Sequence, residues 1–240
     1  MNHDENRLSI FGHLAELRTR LLRSVIAVAI TTMLSFIFYH RIFDILLLLA
    51  PPGIELQAIE LTENLSTVMR VCLVSGIILA IPYLTYEVIM FVSPALTRRE
   101  KRYVYLIIPW ITLMFAAGVA FGYFLMIPPM IKFLLTFGSD IATPQIRIGN
   151  YVSIVTRLLL LTGLIFEMPV VITFLARMGI AKAKWLAGKR RAAVIIAFIV
   201  AAIITPTVDP INQAIVAAPI IILYEMSIWL AKLVQRQRQA

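Results

Sequence analysis

The sequence predicts an all-α integral membrane protein with six transmembrane helices. Of its 240 residues, 60% are hydrophobic and only 15% are charged, which is too apolar for an ordinary soluble domain. Apolar runs near 20 residues, the length needed to cross roughly 30 Å of hydrocarbon, recur along the chain. Lys and Arg concentrate in alternate connecting segments, so the positive-inside rule places both termini in the cytoplasm.

The first predicted span, at about 22–39, follows an amphipathic helix in which Leu14, Leu17 and Leu21 have helical spacing. Spans two to four are long apolar runs at about 68–92, 103–127 and 151–176. The fifth, at 192–206, is short, and the sixth, at 212–231, is short and broken by a proline. Prolines in or beside spans remove intrahelical hydrogen bonds, so we expect a kinked, concave bundle. These are Pro82, Pro109, Pro128, Pro129, Pro169 and Pro219.

Most of the 22 basic residues lie in segments that the six spans would place on one side of the membrane. The opposite loops, near 40–66, 128–150 and 205–211, carry only Arg41, Lys132 and Arg147. No internal repeat, low-complexity tract or long linker divides the chain, so one domain over 1–240 is the simplest interpretation. The basic groups are Arg7, Arg18, Arg20 and Arg23; Arg98, Arg99, Lys101 and Arg102; Arg177, Lys182, Lys184, Lys189, Arg190 and Arg191; and Lys232, Arg236 and Arg238.

Several function classes are excluded by what the sequence lacks. The single cysteine, Cys72, allows neither a disulfide framework nor a Cys-type zinc site. The histidines His3, His13 and His40 are not placed to face one another and hold haem. The net charge is +9, but the basic residues lie between apolar segments rather than on a soluble face, which disfavours nucleic-acid binding. No phosphate-binding glycine loop, HExxH or nucleophile elbow is present, so we expect no catalytic centre, metal or cofactor. The polar, acidic amino terminus predicts no cleaved signal peptide.

Two carboxylates lie at the predicted cytoplasmic side. Glu16 is one helical turn before Arg20, which is typical of an i,i+4 ion pair on a solvated face. The alternative is an acidic spot on a basic surface that captures a cationic ligand. Glu100 ends Thr97-Arg98-Arg99-Glu100, which matches a capping box at the start of span three.

Other carboxylates lie inside or beside the spans. Glu167 interrupts the apolar run of span four, and a carboxylate at that depth is costly unless it is paired, protonated or hydrated, so a functional role is favoured. The alternative is a neutral side chain that hydrogen-bonds carbonyls freed by Pro169. Glu87 and Glu225 are weaker candidates because each is nearer a span end and can reach the interface. Asp209 precedes Pro210 and is predicted to be the N-cap of span six.

Four motifs carry a resemblance to a known family. His13-Leu14-Ala15-Glu16-Leu17-Arg18-Thr19-Arg20 resembles the amino-terminal H-L-x-E-L-R-x-R pattern of TatC, the signal-peptide-receptor subunit of the twin-arginine protein translocase. The stretch from Phe91 to Arg102 resembles its first cytoplasmic loop, and Phe166-Glu167-Met168-Pro169 resembles its F-E-x-P motif. Asp209 falls where the family carries an acidic residue between spans five and six.

The resemblance implies that the chain binds twin-arginine signal peptides of folded export substrates. Glu16 and Glu100 would hold the paired arginines, because a guanidinium meets carboxylate oxygens bidentately whereas an ammonium offers a point charge. Leu17, Arg18, Phe91 and Pro94 would complete that site.

The resemblance also implies partners. The apolar segment of the signal peptide would lie along the concave bundle, and Glu167, with Phe166 and Pro169, would contact a partner's transmembrane helix. It further implies single-span TatA-type and TatB-type subunits as partners, and self-association in a larger complex. The protein would lie in the inner membrane, and the proton gradient would drive transport.

Two departures from the family pattern stand out. Thr62-Glu63-Asn64-Leu65 lacks the phenylalanine of a T-E-x-F-like loop, and Glu87 replaces an expected uncharged polar residue. The rival hypothesis is a proton-coupled small-solute carrier that uses Glu87, Glu167 and Glu225 as relays.

Overall fold

The computed structural model describes residues 3–50, 56–92, 98–137, 145–205 and 209–239, with the backbone alone at 3–11, 13, 92, 98–107 and 237–239. This part of the chain is almost entirely helical. In order, the elements are α1 (His3–Ile37), α2 (Tyr39–Leu47), β1 (Leu56–Gln57), α3 (Glu63–Val92), α4 (Arg98–Phe121), a π-helical turn (Gly122–Met126), α5 (Ile127–Thr136), β2 (Ile146–Arg147), α6 (Ile148–Arg177), α7 (Ala183–Gly188), α8 (Arg190–Ile204) and α9 (Pro210–Gln239).

Five stretches are long and apolar enough to cross a membrane: Leu14–Ile37, Glu63–Phe91, Ile108–Thr136, Ile148–Arg177 and Pro210–Arg236. The first of these is continuous with the predicted amphipathic helix, so α1 has no break between the two. The expected fifth span corresponds to α8, which has 15 residues and a length of about 22 Å. The prediction that this helix is short is confirmed.

Two predictions about the spans are wrong, one about where span three ends and one about the length and continuity of span six. The segment 128–136 was expected in a loop, but the helix continues through Pro128 and Pro129 to Thr136. It can do so because the π-helical turn ends there and the prolines occupy first-turn positions, where no intrahelical donor is needed. The sixth span is neither short nor broken, since Pro219 lies inside the 30-residue α9. A proline removes one hydrogen bond from a long helix without ending it.

The contacts divide the chain into two compact units. Unit 1 comprises Met1–Tyr39 and Cys72–Thr112, and unit 2 comprises His40–Val71 and Leu113–Ala240. In unit 1, α1 lies directly against α3 at Gly76. A Cβ at this glycine would meet the Thr32 Cα at 2.7 Å, and the Thr31 hydroxyl donates to the Gly76 carbonyl at 2.8 Å. That the whole chain forms one domain stays a prediction.

Unit 2 contains the main buried core. Here α6 packs against α9, and α9 also packs against α8. Two tyrosines hold α2 in place, since Tyr123 donates to the Ile45 carbonyl at 2.8 Å and Tyr151 donates to the Leu46 carbonyl at 3.0 Å. The largest fully buried side chains of this core include Met126, Ile127, Met130, Leu158, Val152, Val155 and Val216.

A short parallel pairing joins two loops of unit 2. β1 pairs with β2, with Leu56 opposite Ile146 and Gln57 opposite Arg147. The all-α prediction did not include these strands, because two residues are too few to produce a periodic pattern. Their effect is to bring Arg147 and the start of α6 beside the start of α3.

Candidate functional site

Four side chains of unit 1 form a connected network, which we call the Arg20 cluster: Glu16, Arg20, Tyr83 and Glu87. Arg20 donates from Nε at 2.9 Å and from Nη2 at 2.6 Å to Glu16 Oε1, and from Nη1 at 2.9 Å to Glu87 Oε2. Tyr83 donates its hydroxyl to Glu87 Oε1 at 2.7 Å. One guanidinium therefore bridges two carboxylates, and the second carboxylate is also fixed by a phenol.

The cluster follows from helical spacing on two helices. Glu16 and Arg20 are four residues apart on α1, and Tyr83 and Glu87 are four apart on α3, so each pair shares one helix face. The close approach of α1 and α3 at Gly76 brings the two faces together. The predicted Glu16–Arg20 ion pair is confirmed, but it is one edge of a larger network.

Burial differs among the members of the cluster. The Glu87 side chain is 4% exposed, that of Arg20 is 17% exposed and that of Glu16 is 32% exposed. A buried carboxylate is tolerated when charged and polar donors satisfy its oxygens, as Arg20 and Tyr83 do here. The expectation that Glu87 reaches the interface is wrong, because this side chain points into unit 1.

The remaining predicted signal-peptide residues are described in part. Glu100 lies in the first turn of α4, where the structure describes only the backbone, so its side chain and the capping box with Thr97 lie outside the described residues. Pro94 also lies outside them. Glu16, Glu100 and Phe91 all belong to unit 1, and Phe91 is half-buried near the end of α3. Leu17 and Arg18 are exposed on α1.

Glu167 is half-buried on α6. Its Oε1 is fully buried, yet no residue within the described ranges donates a hydrogen bond to it. The neighbouring Phe166 stacks at a tilt against Phe121, with ring centroids 5.2 Å apart. Pro169 is fully buried inside α6, and its carbonyl accepts the Thr173 hydroxyl at 2.6 Å. The buried Oε1 of Glu167 therefore carries a free-energy cost, because it lacks a described donor, and it lies on a well-packed part of α6.

Asp209 caps α9, as predicted. Its Oδ1 accepts the backbone N–H of Asn212 at 2.7 Å, and its Oδ2 accepts the Asn212 side-chain amide at 3.0 Å. Pro210 occupies the first helical position, where its missing donor costs nothing.

Glu225 is engaged by a second arginine. Arg190 on α8 donates to its two oxygens at 2.7 and 2.9 Å, and both side chains are about half exposed. That Glu225 reaches the membrane interface stays a prediction. A proton relay needs carboxylates that are free to exchange protons, whereas Glu87 and Glu225 are each bound to a guanidinium.

A further network, the Glu63 cluster, comprises Glu60, Glu63, Arg147 and Gly149. Glu63 is 6% exposed and accepts the N–H of Gly149 at 3.1 Å and Arg147 Nη2 at 3.3 Å. It also accepts the N–H of Ile59 at 2.8 Å. Arg147 donates to Glu60 at 2.8 Å, and Glu60, followed by Glu63, raises the pKa of the Arg147 guanidinium. Sequence reasoning noted only the missing phenylalanine after Glu63, and no local pattern pointed to Arg147 as its partner.

The described ranges contain no group of three His, Cys, Asp or Glu side chains arranged to hold a metal ion.

Comparison with known proteins gives one consistent result. Residues 12–219 match the family model described as Sec-independent protein translocase protein (TatC). The chain belongs to the TatC family. A TatC of Carboxydothermus hydrogenoformans is 36% identical over 233 residues, which cover 97% of this chain and 96% of that protein. A TatC of Desulforapulum autotrophicum is 40% identical over 232 residues, which cover 95% of this chain and 86% of that protein.

The chain is also similar to a chloroplast protein and to a solved crystal structure. The chloroplastic TATC of Arabidopsis thaliana is 32% identical, over 97% of this chain and 69% of that protein. A crystal structure titled Twin Arginine Translocase Receptor TatC superposes with a TM-score of 0.83 at 37% identity, over 93% of this chain and 99% of that chain. The TatC family is one of translocase components, so the carrier hypothesis is not favoured.

Proposed function

We propose that this TatC protein is the receptor for twin-arginine signal peptides, with Glu16 and Glu100 as the two carboxylates that hold the paired arginines. The observation that carries the proposal is the geometry at Glu16. Its carboxylate accepts two hydrogen bonds from a guanidinium, at 2.6 and 2.9 Å, in a setting that is two-thirds shielded from solvent. A carboxylate that binds the arginine of its own helix in this way has the chemistry to bind an arginine of a ligand.

Arginine selectivity follows from the same geometry. Both hydrogen bonds come from one edge of a planar guanidinium, and a lysine ammonium cannot present two donors from fixed positions. Glu100 is the second carboxylate by family resemblance, and its place in unit 1 with Glu16 is compatible with a shared site.

The remaining parts of the proposal concern the membrane and partners. The protein lies in the inner membrane. Both termini lie in the cytoplasm, because the basic segments fall on one side of the predicted spans. A concave face of the six-span bundle receives the apolar part of the signal peptide. Self-association and the proton gradient support transport of folded proteins.

Glu167 is proposed as the contact for a single-span TatA-type or TatB-type subunit. The supporting observation is its buried Oε1, which lacks a donor within the described part of the chain. A polar side chain on a partner's transmembrane helix would supply that donor, and such hydrogen bonds hold helices together in lipid. Phe166 and Pro169 would keep α6 rigid beside this contact.

The test is site-specific photo-crosslinking in membranes between the full chain and a synthetic twin-arginine signal peptide. We expect crosslinks near Glu16 and Glu100 that disappear in Glu16→Gln and Glu100→Gln and with a Lys-Lys version of the peptide. Each change removes a charge-assisted hydrogen bond, for which a loss of affinity of about tenfold or more is expected.

The matched control is Asp44→Asn, since Asp44 is exposed on α2 and belongs to unit 2. Crosslinking that is equal for Arg-Arg and Lys-Lys peptides, or unaffected by both glutamate changes, contradicts the receptor function.

A further inference from the structure

The connection between α6 and α8 is strongly basic. Residues 177–191 contain six Lys or Arg and no Asp or Glu. Two large apolar side chains in this connection are nevertheless open to the surroundings, since Ile180 is 66% exposed and Trp185 is 61% exposed. Basic side chains beside an exposed tryptophan are typical of the level at which a membrane protein passes from lipid to water.

The helix in this connection, α7, is held against α9 by side chains of α9. The side-chain amide of Gln235 donates to the Ala181 carbonyl at 2.8 Å and accepts the N–H of Ala183 at 3.2 Å. The Tyr224 hydroxyl donates to the Leu186 carbonyl at 2.8 Å. The backbone of α7 is therefore fixed both before its first turn and within it.

The two faces of α7 differ in chemistry. Ala183 and Leu186 are three residues apart and are buried in one apolar cluster with residues of α9. Lys184 and Trp185 lie on the other face, and both are exposed. Because α9 fixes the inner face, the outer face presents a lysine and a tryptophan in a defined position.

The basic side chains of the connection differ in whether a carboxylate matches their charge. Arg190 donates to both oxygens of Glu225, at 2.7 and 2.9 Å, so its charge is paired. The other four exposed basic side chains form no ion pair with any carboxylate in the described part of the chain. They are Lys182, Lys184, Lys189 and Arg191.

We propose that this connection binds the headgroups of anionic phospholipids. The binding surface, which we call the α7 surface, comprises Ile180, Lys182, Lys184, Trp185, Lys189 and Arg191. It lies between the end of α6 at Arg177 and the start of α8 at Arg190, where two apolar helices reach the boundary of the bilayer. A phospholipid matches both features of the surface, because its phosphate meets the basic groups and its acyl chains meet the exposed tryptophan and isoleucine.

The two features make different predictions about lipid choice. Apolar contacts do not distinguish phospholipids that have the same acyl chains. Basic groups at a membrane surface favour anionic headgroups, and salt weakens that preference by screening the charges. Two lipids with identical chains and different headgroup charge therefore test the proposal directly.

The experiment uses Trp185 as a fluorescent reporter in the full chain. Trp110→Phe and Trp229→Phe remove the other two tryptophans, which are 53% and 70% exposed and so are not part of the core. The protein is placed in nanodiscs that contain equal amounts of phosphatidylcholine and phosphatidylglycerol. In one sample the phosphatidylcholine carries bromine near the top of its acyl chains, and in the other the phosphatidylglycerol does.

Bromine quenches tryptophan fluorescence only at short range, so quenching reports which lipid lies beside Trp185. We expect quenching by brominated phosphatidylglycerol to be about twice that by brominated phosphatidylcholine. The excess should shrink in about 0.5 M NaCl, because the attraction is electrostatic.

Paired variants assign the preference to this surface. Lys182→Gln/Lys184→Gln should reduce the excess to less than half, whereas Lys182→Arg/Lys184→Arg keeps the charges and should preserve it. The matched control is Arg41→Gln/Lys132→Gln, which removes the same charge from exposed positions on α2 and α5. It should leave the excess unchanged.

Three results would overturn the proposal. Equal quenching by the two brominated lipids means that the surface lies in lipid without selecting its charge. Quenching by neither lipid means that protein or water covers Trp185 instead. Equal losses in the lysine variant and in the Arg41 and Lys132 control mean that only net charge matters. None of these results depends on a signal peptide, so the proposed receptor function is tested separately.

Discussion

Two buried carboxylates, Glu87 and Glu63, are each bound by an arginine that a more exposed carboxylate shares. Arg20 links Glu87 to Glu16, and Arg147 links Glu63 to Glu60. The two members of such a pair are not equivalent. If the buried carboxylate is removed, buried donors are left without an acceptor. If the exposed carboxylate is removed, water can accept the hydrogen bond in its place.

This asymmetry gives a stability prediction for the Glu63 cluster. Glu63→Gln should lower the thermal midpoint in detergent by several degrees, because Glu63 serves three backbone donors and Arg147. Glu60→Gln should change it by about 1 °C or less, since Glu60 is 66% exposed. The measurement is dye labelling of Cys72 during heating. Equal shifts for the two variants would contradict the assigned roles.

At the same scale, sequence reasoning succeeded where partners are near in the chain. The Glu16–Arg20 contact and the Asp209 cap join residues within four positions of each other, and helical geometry dictates both. Arg20 and Glu87 are 67 residues apart, and Arg147 and Glu63 are 84 apart. No periodicity links such residues, so these contacts depend on packing that the sequence alone does not reveal.

Among the helices, α4 and α6 approach each other through glycine. A Cβ on Gly118 would meet the Thr162 carbonyl oxygen at 2.7 Å and the Gly163 Cα at 2.9 Å, and both are backbone atoms that cannot rotate away. Gly122, one turn later, would place its Cβ against the Thr162 hydroxyl. Small residues four apart let helices pack closely in lipid, where hydrophobic burial does not drive association.

The corresponding prediction compares one substitution at two glycines. Gly118→Ala should destabilise the protein by about 1–3 kcal/mol, because α4 and α6 must separate to admit the methyl group. Gly188→Ala, on α7, should stay within about 0.5 kcal/mol, since nothing lies within 4 Å of the added Cβ. Thermal unfolding in detergent measures both. A Gly118→Ala protein as stable as Gly188→Ala would refute close packing at this position.

Helix boundaries were harder to predict than helix existence. Hydrophobic runs located the five long spans and the short α8, because apolar length is a property of the sequence itself. The sequence predicts a loop from residue 128 and a break at Pro219, but Pro128, Pro129 and Pro219 all lie within helices. Whether a proline ends or only bends a helix depends on neighbouring helices, which no local pattern encodes.

For the whole molecule, the distribution of charge predicts which loops face the cytoplasm. The segment around Leu61 is poor in Lys and Arg, whereas the segment around Gly188 is rich in them. The positive-inside rule therefore places Leu61 outside the cytoplasm and Gly188 within it. Leu61 is fully exposed, and a Cβ on Gly188 would enter open space, so a cysteine at either position is available to a reagent.

The prediction is tested in intact cells after the outer membrane has been permeabilised. A membrane-impermeant maleimide should label Leu61→Cys and should label Gly188→Cys only after lysis. The native Cys72 is fully buried and supplies an unreactive background. Labelling of Gly188→Cys before lysis, or of both positions equally, would contradict the predicted topology.

The contacts of Glu63 with Arg147 and Gly149 also imply an order of events during synthesis. Glu63 leaves the ribosome before Arg147 and Gly149, which follow it by 84 and 86 residues. Until they arrive, its donors within the described chain are the amides of Ile59 and Glu60 in its own turn. The start of α3 is therefore completed only after α4 and α5 have been made, and a nascent chain stalled before residue 147 should expose this segment to proteases.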